Sequence, residues 1–393
     1  MYRFPDYQKT YGPGDNGTFS TPTRLYFGPK YATDVPLYDN LNNFFQTGYT
    51  SRHNLGLEGG NDKTTYRLSV GYTNQQGVIP TTDYKRLSIR LAGTSKITNK
   101  LEASTTFNYI NTSNTKAGKG LGSTLLALVS WPLTDDAQNY TGNDGTRRRL
   151  NPNNDTQDID NPFFDVYKNK NSDQTNRVLG NVTLTYDPLA WLKVQGIIGA
   201  DVYSTTGNLL FHPQSNRAIS TRGNIENYTE ISQLFNGQFL VTGKKEFGKI
   251  STSLLLGTSF DDRKYNVDAV QGQQFYEVDF NGINNTPPAT QRAKNTLNLI
   301  RRQAVFGQFQ ASYESMLYLT VTGRNDWSST LPVANNSFFY PSVSSSFVLT
   351  ELPNLQGGKI ISFAKIRASY AEVGKDAPVP YITQSNLLGQ ATT

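Results

Sequence analysis

The regular alternation of apolar and polar side chains over long segments constrains the fold of this chain more than any other feature. Between 100 and 112, Leu101, Ala103, Phe107 and Tyr109 alternate with polar residues, and the same pattern recurs along the chain. Successive side chains of a β-strand point to opposite faces, so each segment has one apolar and one polar face. The pattern predicts about twelve strands, near 52–60, 64–76, 84–97, 100–112, 175–187, 191–205, 227–246, 248–262, 297–313, 316–327, 338–349 and 363–374.

The length of these segments separates two kinds of β protein. Most of the predicted strands are about twice as long as the roughly 5–6 residues typical of soluble proteins. A strand that crosses a bilayer at a tilt needs roughly 9–11 residues. Strand length therefore favours a membrane barrel over a soluble sandwich.

The connections between the predicted strands alternate between short and long. Tight turns are predicted at 61–63 and 98–100, whereas long loops span 113–174, 206–226 and 263–296. Barrels of the outer membrane have short turns on the periplasmic side and long loops on the extracellular side. The sequence therefore predicts an all-β fold, an antiparallel up-and-down transmembrane β-barrel.

The two faces of the predicted strands would meet different surroundings in such a barrel. The apolar face is expected to contact lipid, where an Arg or Lys at mid-depth costs about 2–4 kcal/mol. The polar face, which includes Arg67, Arg90 and Arg324, is then expected to face the lumen. We expect these three arginines to hydrogen-bond to a plug rather than to contact cargo.

Composition excludes several classes of function. The chain has no Cys, and His53 and His212 are its only histidines. It therefore has few of the residues that Ser-His or Cys-His catalysis requires. The formal net charge is +6, but the basic residues are scattered rather than gathered in a stripe that would bind nucleic acid. We therefore predict no enzymatic activity, no cofactor and no nucleic-acid partner.

An acidic stretch in the longest loop is a weak candidate for a metal site. Asp155, Asp158 and Asp160 lie among several Asn residues, and oxygen-rich spacing of this kind can bind Ca²⁺. The Gly and the bidentate Glu of an EF-hand loop are absent. Solvation of the loop and Asx turns are the favoured interpretation, and we predict no metal.

Aromatic residues of the long loops are the best candidates for binding cargo. Aromatic faces stack on sugar rings and on peptide side chains, and loops on a rigid scaffold commonly carry binding. The alternative is that these residues pack the loops against each other or against a lid protein. The candidates are Trp131, Tyr140, Phe163, Phe164, Tyr167, Phe211, Phe275, Tyr276 and Phe280.

Several segments of the chain resemble one known family in residues and in order. The chain is similar to SusC/RagA-type TonB-linked outer-membrane proteins at 35–40 (VPLYDN), 43–48 (NFFQTG), 59–69 (GGNDKTTYRLS), 323–332 (GRNDWSSTLP), 338–344 (FFYPSVS) and 365–374 (KIRASYAEVG). The resemblance implies active import through the outer membrane of a Gram-negative bacterium, driven by a TonB complex. It also implies a SusD-like surface lipoprotein as partner and glycans, oligosaccharides or peptides as cargo.

The resemblance further implies that this sequence is a part of a larger barrel. Family barrels have 22 strands and a plug inside, so about twelve strands would form roughly half of the barrel wall. We expect the N-terminal plug, the segment that contacts TonB and the last strands to be absent. The expected parts are an entry segment in 1–51, barrel strands in 52–374 and the start of an extracellular loop in 375–393.

A second class of function stays open at this point. A secreted or surface-bound β-rich protein, an adhesin or a carbohydrate-binding lectin, would also carry many strands and aromatic loops. It would hide its apolar rows between two stacked sheets, whereas a membrane barrel leaves them exposed to lipid.

Overall fold

The structure is a computed structural model, and it describes residues 33–120, 123–150, 158–354 and 361–377. These residues form one antiparallel sheet of twelve strands, in which each strand pairs with its neighbours in the sequence. This up-and-down order confirms the predicted fold class. The strands are β1 (Tyr49–Gly60), β2 (Thr64–Gln76), β3 (Asp83–Lys96), β4 (Leu101–Thr115), β5 (Lys170–Leu189), β6 (Leu192–Phe211), β7 (Asn224–Phe247), β8 (Ile250–Gln273), β9 (Arg292–Tyr313), β10 (Leu317–Ser328), β11 (Ser337–Val348) and β12 (Lys365–Ala371).

The register places apolar residues opposite apolar residues across the whole sheet. Leu91 of β3 lies opposite Leu68 of β2 on one side and opposite Phe107 of β4 on the other. At the other end of the sheet, Val321 of β10 lies opposite Val343 of β11. Directly opposed residues share a face of the sheet, so these rows form one continuous apolar face.

The apolar face is not covered by any other part of the described chain. Large hydrophobic side chains along it are widely exposed, and Ile198 at 67% is an example. Soluble monomers rarely expose contiguous apolar patches of more than a few hundred Å². A second sheet stacked on these rows, as a sandwich requires, is absent from the described residues, which form a single sheet.

The strands in the middle of the sheet extend further than predicted. β5 to β9 contain 20, 20, 24, 24 and 22 residues, so their connections are 116–169, 212–223 and 274–291 rather than 113–174, 206–226 and 263–296. Many of the added residues are polar, and Asn208 opposite Asn227 is one example. Backbone pairing continues there although the apolar alternation has faded. These extensions reach beyond the roughly 9–11 residues that a bilayer requires.

The tight turns have local causes in the sequence. Asn61 Oδ1 accepts from the backbone N–H groups of Lys63 and Thr64, both at 2.9 Å. In the three-residue connection between β9 and β10, Glu314 and Ser315 both have positive φ, as the two central residues of a type I′ turn do. The residues at these turns and at the adjoining strand ends therefore determine the short connections.

The helices of the described residues are short and lie outside the sheet. They are α1 (Asn40–Phe44), α2 (Thr124–Ser130) and α3 (Pro162–Lys168), with single 3₁₀ turns at Ile283–Asn285, Pro288–Thr290, Val333–Asn335 and Leu349–Glu351. The side chains of Asp39, Ser123 and Asn161 cap the three α-helices. Among the described residues, no helix combines the length and the apolar character needed to cross a membrane.

Candidate functional site

The connections at the long-loop end of the sheet fold into a packed body that we call the cap. It consists of the described residues of 33–48, 116–169 and 212–223. Its apolar core contains Phe44, Leu128, Trp131, Ala137, Phe163 and Val166. The ring of Phe44 meets the ring of Phe163 edge to face, with 5.1 Å between centroids. Segments far apart in the sequence thus share one core.

A buried arginine ties the cap together. The Arg147 guanidinium donates to Asp158 Oδ2 at 2.5 Å and to Asp160 Oδ1 at 2.9 Å, and all three side chains are at most 5% exposed. Asp160 also accepts from the backbone N–H of Asn216 at 2.6 Å. Burial raises the pKa of Asp160 even with these partners. Buried charges of this kind are stable only when they are paired.

These contacts bear directly on the weak calcium prediction. Asp158 and Asp160 face an arginine, which already supplies the positive charge that a cation would bring. Asp155 lies outside the described residues. Within the described ranges, no group of three or more His, Cys, Asp or Glu side chains could hold a metal ion.

The structure places the predicted aromatic residues in buried, partly buried and exposed positions. Trp131, Phe163 and Phe164 are buried in the cap, which is the alternative role that the sequence left open. Phe211 lies at the end of β6 beneath the Arg217 guanidinium, 5.5 Å from the ring centroid, and Phe275 lies beside Gly223. The exposed members are Tyr167, Tyr276 and Phe280.

Tyr140 occupies an intermediate position in this set. It is partly buried against the cap core, and its ring stacks on that of Tyr167 with 5.6 Å between centroids. The ring of Phe163 also stacks against that of Tyr167, with 6.4 Å between centroids. The exposed side chain of Tyr167 is therefore held in place by two neighbouring rings.

A charged bridge joins the cap to the loop between β8 and β9. Lys168 Nζ donates to Asp279 Oδ1 at 3.1 Å, and His212 Nε2 lies 3.5 Å from the same oxygen. The bond from Lys168 lowers the pKa of Asp279. Burial lowers the pKa of His212, whose side chain is 3% exposed, so the imidazole is neutral at neutral pH.

The three arginines predicted to face the lumen all lie on the polar face of the sheet. Arg67 is exposed and pairs with Glu58 of β1 at 3.3 Å. Arg90 is exposed opposite Ser69 of β2. Arg324 donates to Asp326 at 2.7 Å and lies over the ring of Phe306, 5.2 Å from its centroid. They are spread over the wall and do not converge on one site.

Sequence reasoning missed a group of side chains on the polar face of β6, β7 and β8. Tyr203 OH donates to Glu230 Oε1 at 2.8 Å. Ser232 of β7 lies opposite Tyr203 of β6 on one side and opposite Tyr265 of β8 on the other. Tyr228 lies on the same face of β7, two residues before Glu230. We call Tyr203, Tyr228, Glu230 and Tyr265 the tyrosine cluster. Its signal in the sequence was the placement of tyrosines at polar-face positions, which the search for loop aromatics passed over.

Comparison with known proteins gives relatives of one kind. No family model matches the chain. It is 23% identical over 346 residues to TonB-dependent receptor P26 of Formosa agariphila, covering 86% of this chain and 34% of that protein. It is 22% identical over 398 residues to TonB-dependent receptor SusC of Bacteroides thetaiotaomicron, covering 95% of this chain and 38% of SusC. The chain therefore spans about a third of the length of these relatives.

A solved structure agrees with the sequence relatives. The RagAB peptide transporter superposes with a TM-score of 0.72 at 18% identity, over 85% of this chain and 38% of that chain. At this level of identity the agreement concerns the fold, an antiparallel wall with long connections at one end.

The wall and the sequence relatives together make the chain similar to the barrel wall of TonB-dependent receptors. Among these receptors, the segments noted above and the similarity to SusC make the chain SusC/RagA-like, and the RagAB transporter agrees with it in fold.

Proposed function

We propose that this chain forms part of the wall of an outer-membrane importer of a Gram-negative bacterium. The importer takes up glycans, oligosaccharides or peptides too large for porins, and a TonB complex supplies the energy. A SusD-like lipoprotein on the cell surface is the proposed partner. The relatives are named as receptors and as a transporter rather than as enzymes, in agreement with the proposal that transport makes and breaks no bond.

One observation carries this proposal. Across twelve consecutive antiparallel strands, one face is apolar and exposed while the other face is polar and charged. A wall of this kind is stable where hydrocarbon covers one side and water or polar protein covers the other. A secreted adhesin or lectin has no use for an uncovered apolar face of this extent, and we therefore favour transport over that alternative.

The exposed aromatic rings of the cap and of the loop between β8 and β9 give the proposal a first contact surface for cargo. We propose that Tyr167, Tyr276 and Phe280 contact cargo or the lipoprotein, because they are 51%, 63% and 55% exposed. Trp131, Phe163 and Phe164 support the cap from within. Arg67, Arg90 and Arg324 are proposed to hydrogen-bond to a plug in the lumen.

Uptake in cells tests the proposed function. Cells carrying the whole receptor gene, with and without a functional TonB, are supplied with radiolabelled oligosaccharides and peptides. Import that requires both the receptor and TonB supports the proposal. Equal uptake with and without TonB would refute TonB-driven import. A receptor that does not fractionate with outer membranes would refute the proposed location in the outer membrane.

A further inference from the structure

The tyrosine cluster is the most complete group of unassigned side chains on the polar face. Its members lie on three adjacent strands, β6, β7 and β8, whose backbones are fixed by continuous pairing. Each of the four side chains is half-buried, so each is held by neighbours and still reaches the open side of the wall. Sites built on strands hold their side chains more rigidly than sites on loops.

Tyr228 lies flat against the wall. It is opposite Gly207 of β6, and a β-carbon at Gly207 would collide with the Tyr228 ring. Gly207 therefore lets one face of the ring rest on the backbone while the other face is directed away from it. A flat aromatic face held in this way is a platform on which the C–H face of a sugar ring can stack.

Glu230 supplies a hydrogen-bond acceptor next to this platform. It is two residues from Tyr228 on the same strand and the same face, a separation of roughly 6.6–6.8 Å along a strand. Tyr203 donates to Glu230 Oε1 at 2.8 Å, and Tyr265 lies on the other side of the carboxylate. An ionised carboxylate has about four acceptor sites, so Glu230 can accept further donors such as paired hydroxyl groups.

The charges around the cluster favour a ligand without net charge. Arg177 Nε donates to Asp201 Oδ1 at 2.7 Å, so this arginine is already neutralised by its own partner. Glu226 and Glu230 lie on the same face on either side of Tyr228, whereas Lys294 of β9 lies opposite Ala269, which is itself opposite Tyr228. Charges of both signs therefore border Tyr228, so neither an anionic nor a cationic sugar is favoured there.

We propose that the tyrosine cluster is a carbohydrate-binding subsite for neutral oligosaccharides, with the sugar stacked on Tyr228 and its hydroxyl groups bound by Glu230. Tyr203 and Tyr265 are positioning residues that hold the Glu230 carboxylate. This inference rests on the proposed import function, because it assigns cargo contacts to the polar face. It also selects glycans over peptides as the cargo that this part of the wall contacts.

Binding by the purified whole receptor tests the proposal. The receptor in detergent is applied to an array of neutral glucans, mannans, xylans and galactans, together with uronate-containing and sulfated glycans and a peptide library. We expect binding to at least one neutral glycan. Isothermal titration with that glycan should then give about tenfold weaker binding for Tyr228→Ala and for Glu230→Gln.

Matched controls separate the subsite from general damage to the wall. Tyr84→Ala and Glu102→Gln change polar-face residues of β3 and β4 outside the cluster, and we expect unchanged affinity. Gly207→Ala keeps every binding group but displaces the Tyr228 ring, so it should weaken binding as Tyr228→Ala does. Heat-modifiable migration in detergent gels checks that each variant is folded.

Two results would overturn the subsite. One is binding only to peptides or to acidic glycans, or to nothing on the array. The other is equal loss of affinity in the cluster variants and in the two controls. TonB-dependent uptake measured in parallel, at glycan concentrations below saturation, keeps the two proposals apart, because an unchanged uptake rate in Glu230→Gln would refute the subsite and leave the import function standing.

Discussion

Replacing Arg147 by Met removes the positive charge from the middle of the cap. The change leaves the carboxylates of Asp158 and Asp160 buried without their main partner. Removal of one member of a buried ion pair typically costs about 3–5 kcal/mol. Asp158 keeps the Nε of Arg149 at 3.0 Å, and Asp160 keeps the backbone N–H of Asn216. We therefore expect a loss near the lower limit, about 3 kcal/mol for opening of the cap.

Opening of the cap can be measured without unfolding the wall. A loss of about 3 kcal/mol raises the open fraction by about a hundredfold. Hydrogen exchange and proteolysis of 158–169 should accelerate by up to that factor, because both follow the population of the open form when closing is fast. Heat-modifiable migration should be unchanged, since the paired strands are not altered.

The pH dependence and a control variant show whether the loss of stability comes from the buried carboxylates. Burial already raises the pKa of Asp160, and without Arg147 that pKa should rise further, so protonation of Asp160 at low pH relieves part of the buried charge. The difference between wild type and Arg147→Met should therefore shrink as the pH falls toward about 4. Arg301→Met is the control, because Arg301 is 76% exposed in its pair with Asp262 and such pairs contribute about 0–1 kcal/mol. Equal protease resistance of Arg147→Met and wild type would refute the reasoning.

Two further predictions concern contacts made by loop segments. Burial lowers the pKa of the His212 imidazole in the folded cap below its value of about 6.5 in the unfolded chain. The stability that the neutral imidazole contributes is therefore complete above about pH 6.5 and is lost as the pH falls through the lowered pKa of the folded state. The cap should become protease-sensitive over that pH range. His212→Phe should remove this pH dependence, and an unchanged profile would contradict it. Asp376→Asn should weaken the bond from Arg302 Nε, 2.7 Å long, that holds 372–377 on the polar face, at a cost of about 1–3 kcal/mol. Hydrogen exchange confined to 372–377 checks this, and unchanged protection of that segment would count against it.

The topology could be predicted from the sequence because each strand carries its own signal. Leu101, Ala103, Phe107 and Tyr109 place one face of β4 without any knowledge of its neighbours. The register then follows, since a slip of one residue would move every apolar side chain to the polar face. The ends of β5 to β9 that lie next to the long connections lack this alternation. Asn208 opposite Asn227 gives no contrast between faces, so only backbone pairing reveals that the strands continue.

The cap could not be predicted, because its core combines residues that are remote in the sequence. Phe44 meets Phe163, and nothing near either residue indicates the other. Aromatic residues in a loop have the same local pattern whether they bind cargo or pack a core. Burial alone separates Phe164 from Phe280, and burial is a property of the tertiary structure.

A pair of neighbouring substitutions in β6 tests the central claim most directly. Ile198 lies on the apolar face opposite Val182, and Ile197 lies on the polar face opposite Thr183. The free energy of unfolding is measured for Ile198→Arg and Ile197→Arg in the whole receptor, reconstituted in phosphatidylcholine vesicles. If lipid covers the apolar face, Ile198→Arg should lose about 2–4 kcal/mol more than Ile197→Arg. Equal losses, or a larger loss for Ile197→Arg, would contradict the membrane orientation on which the whole account depends.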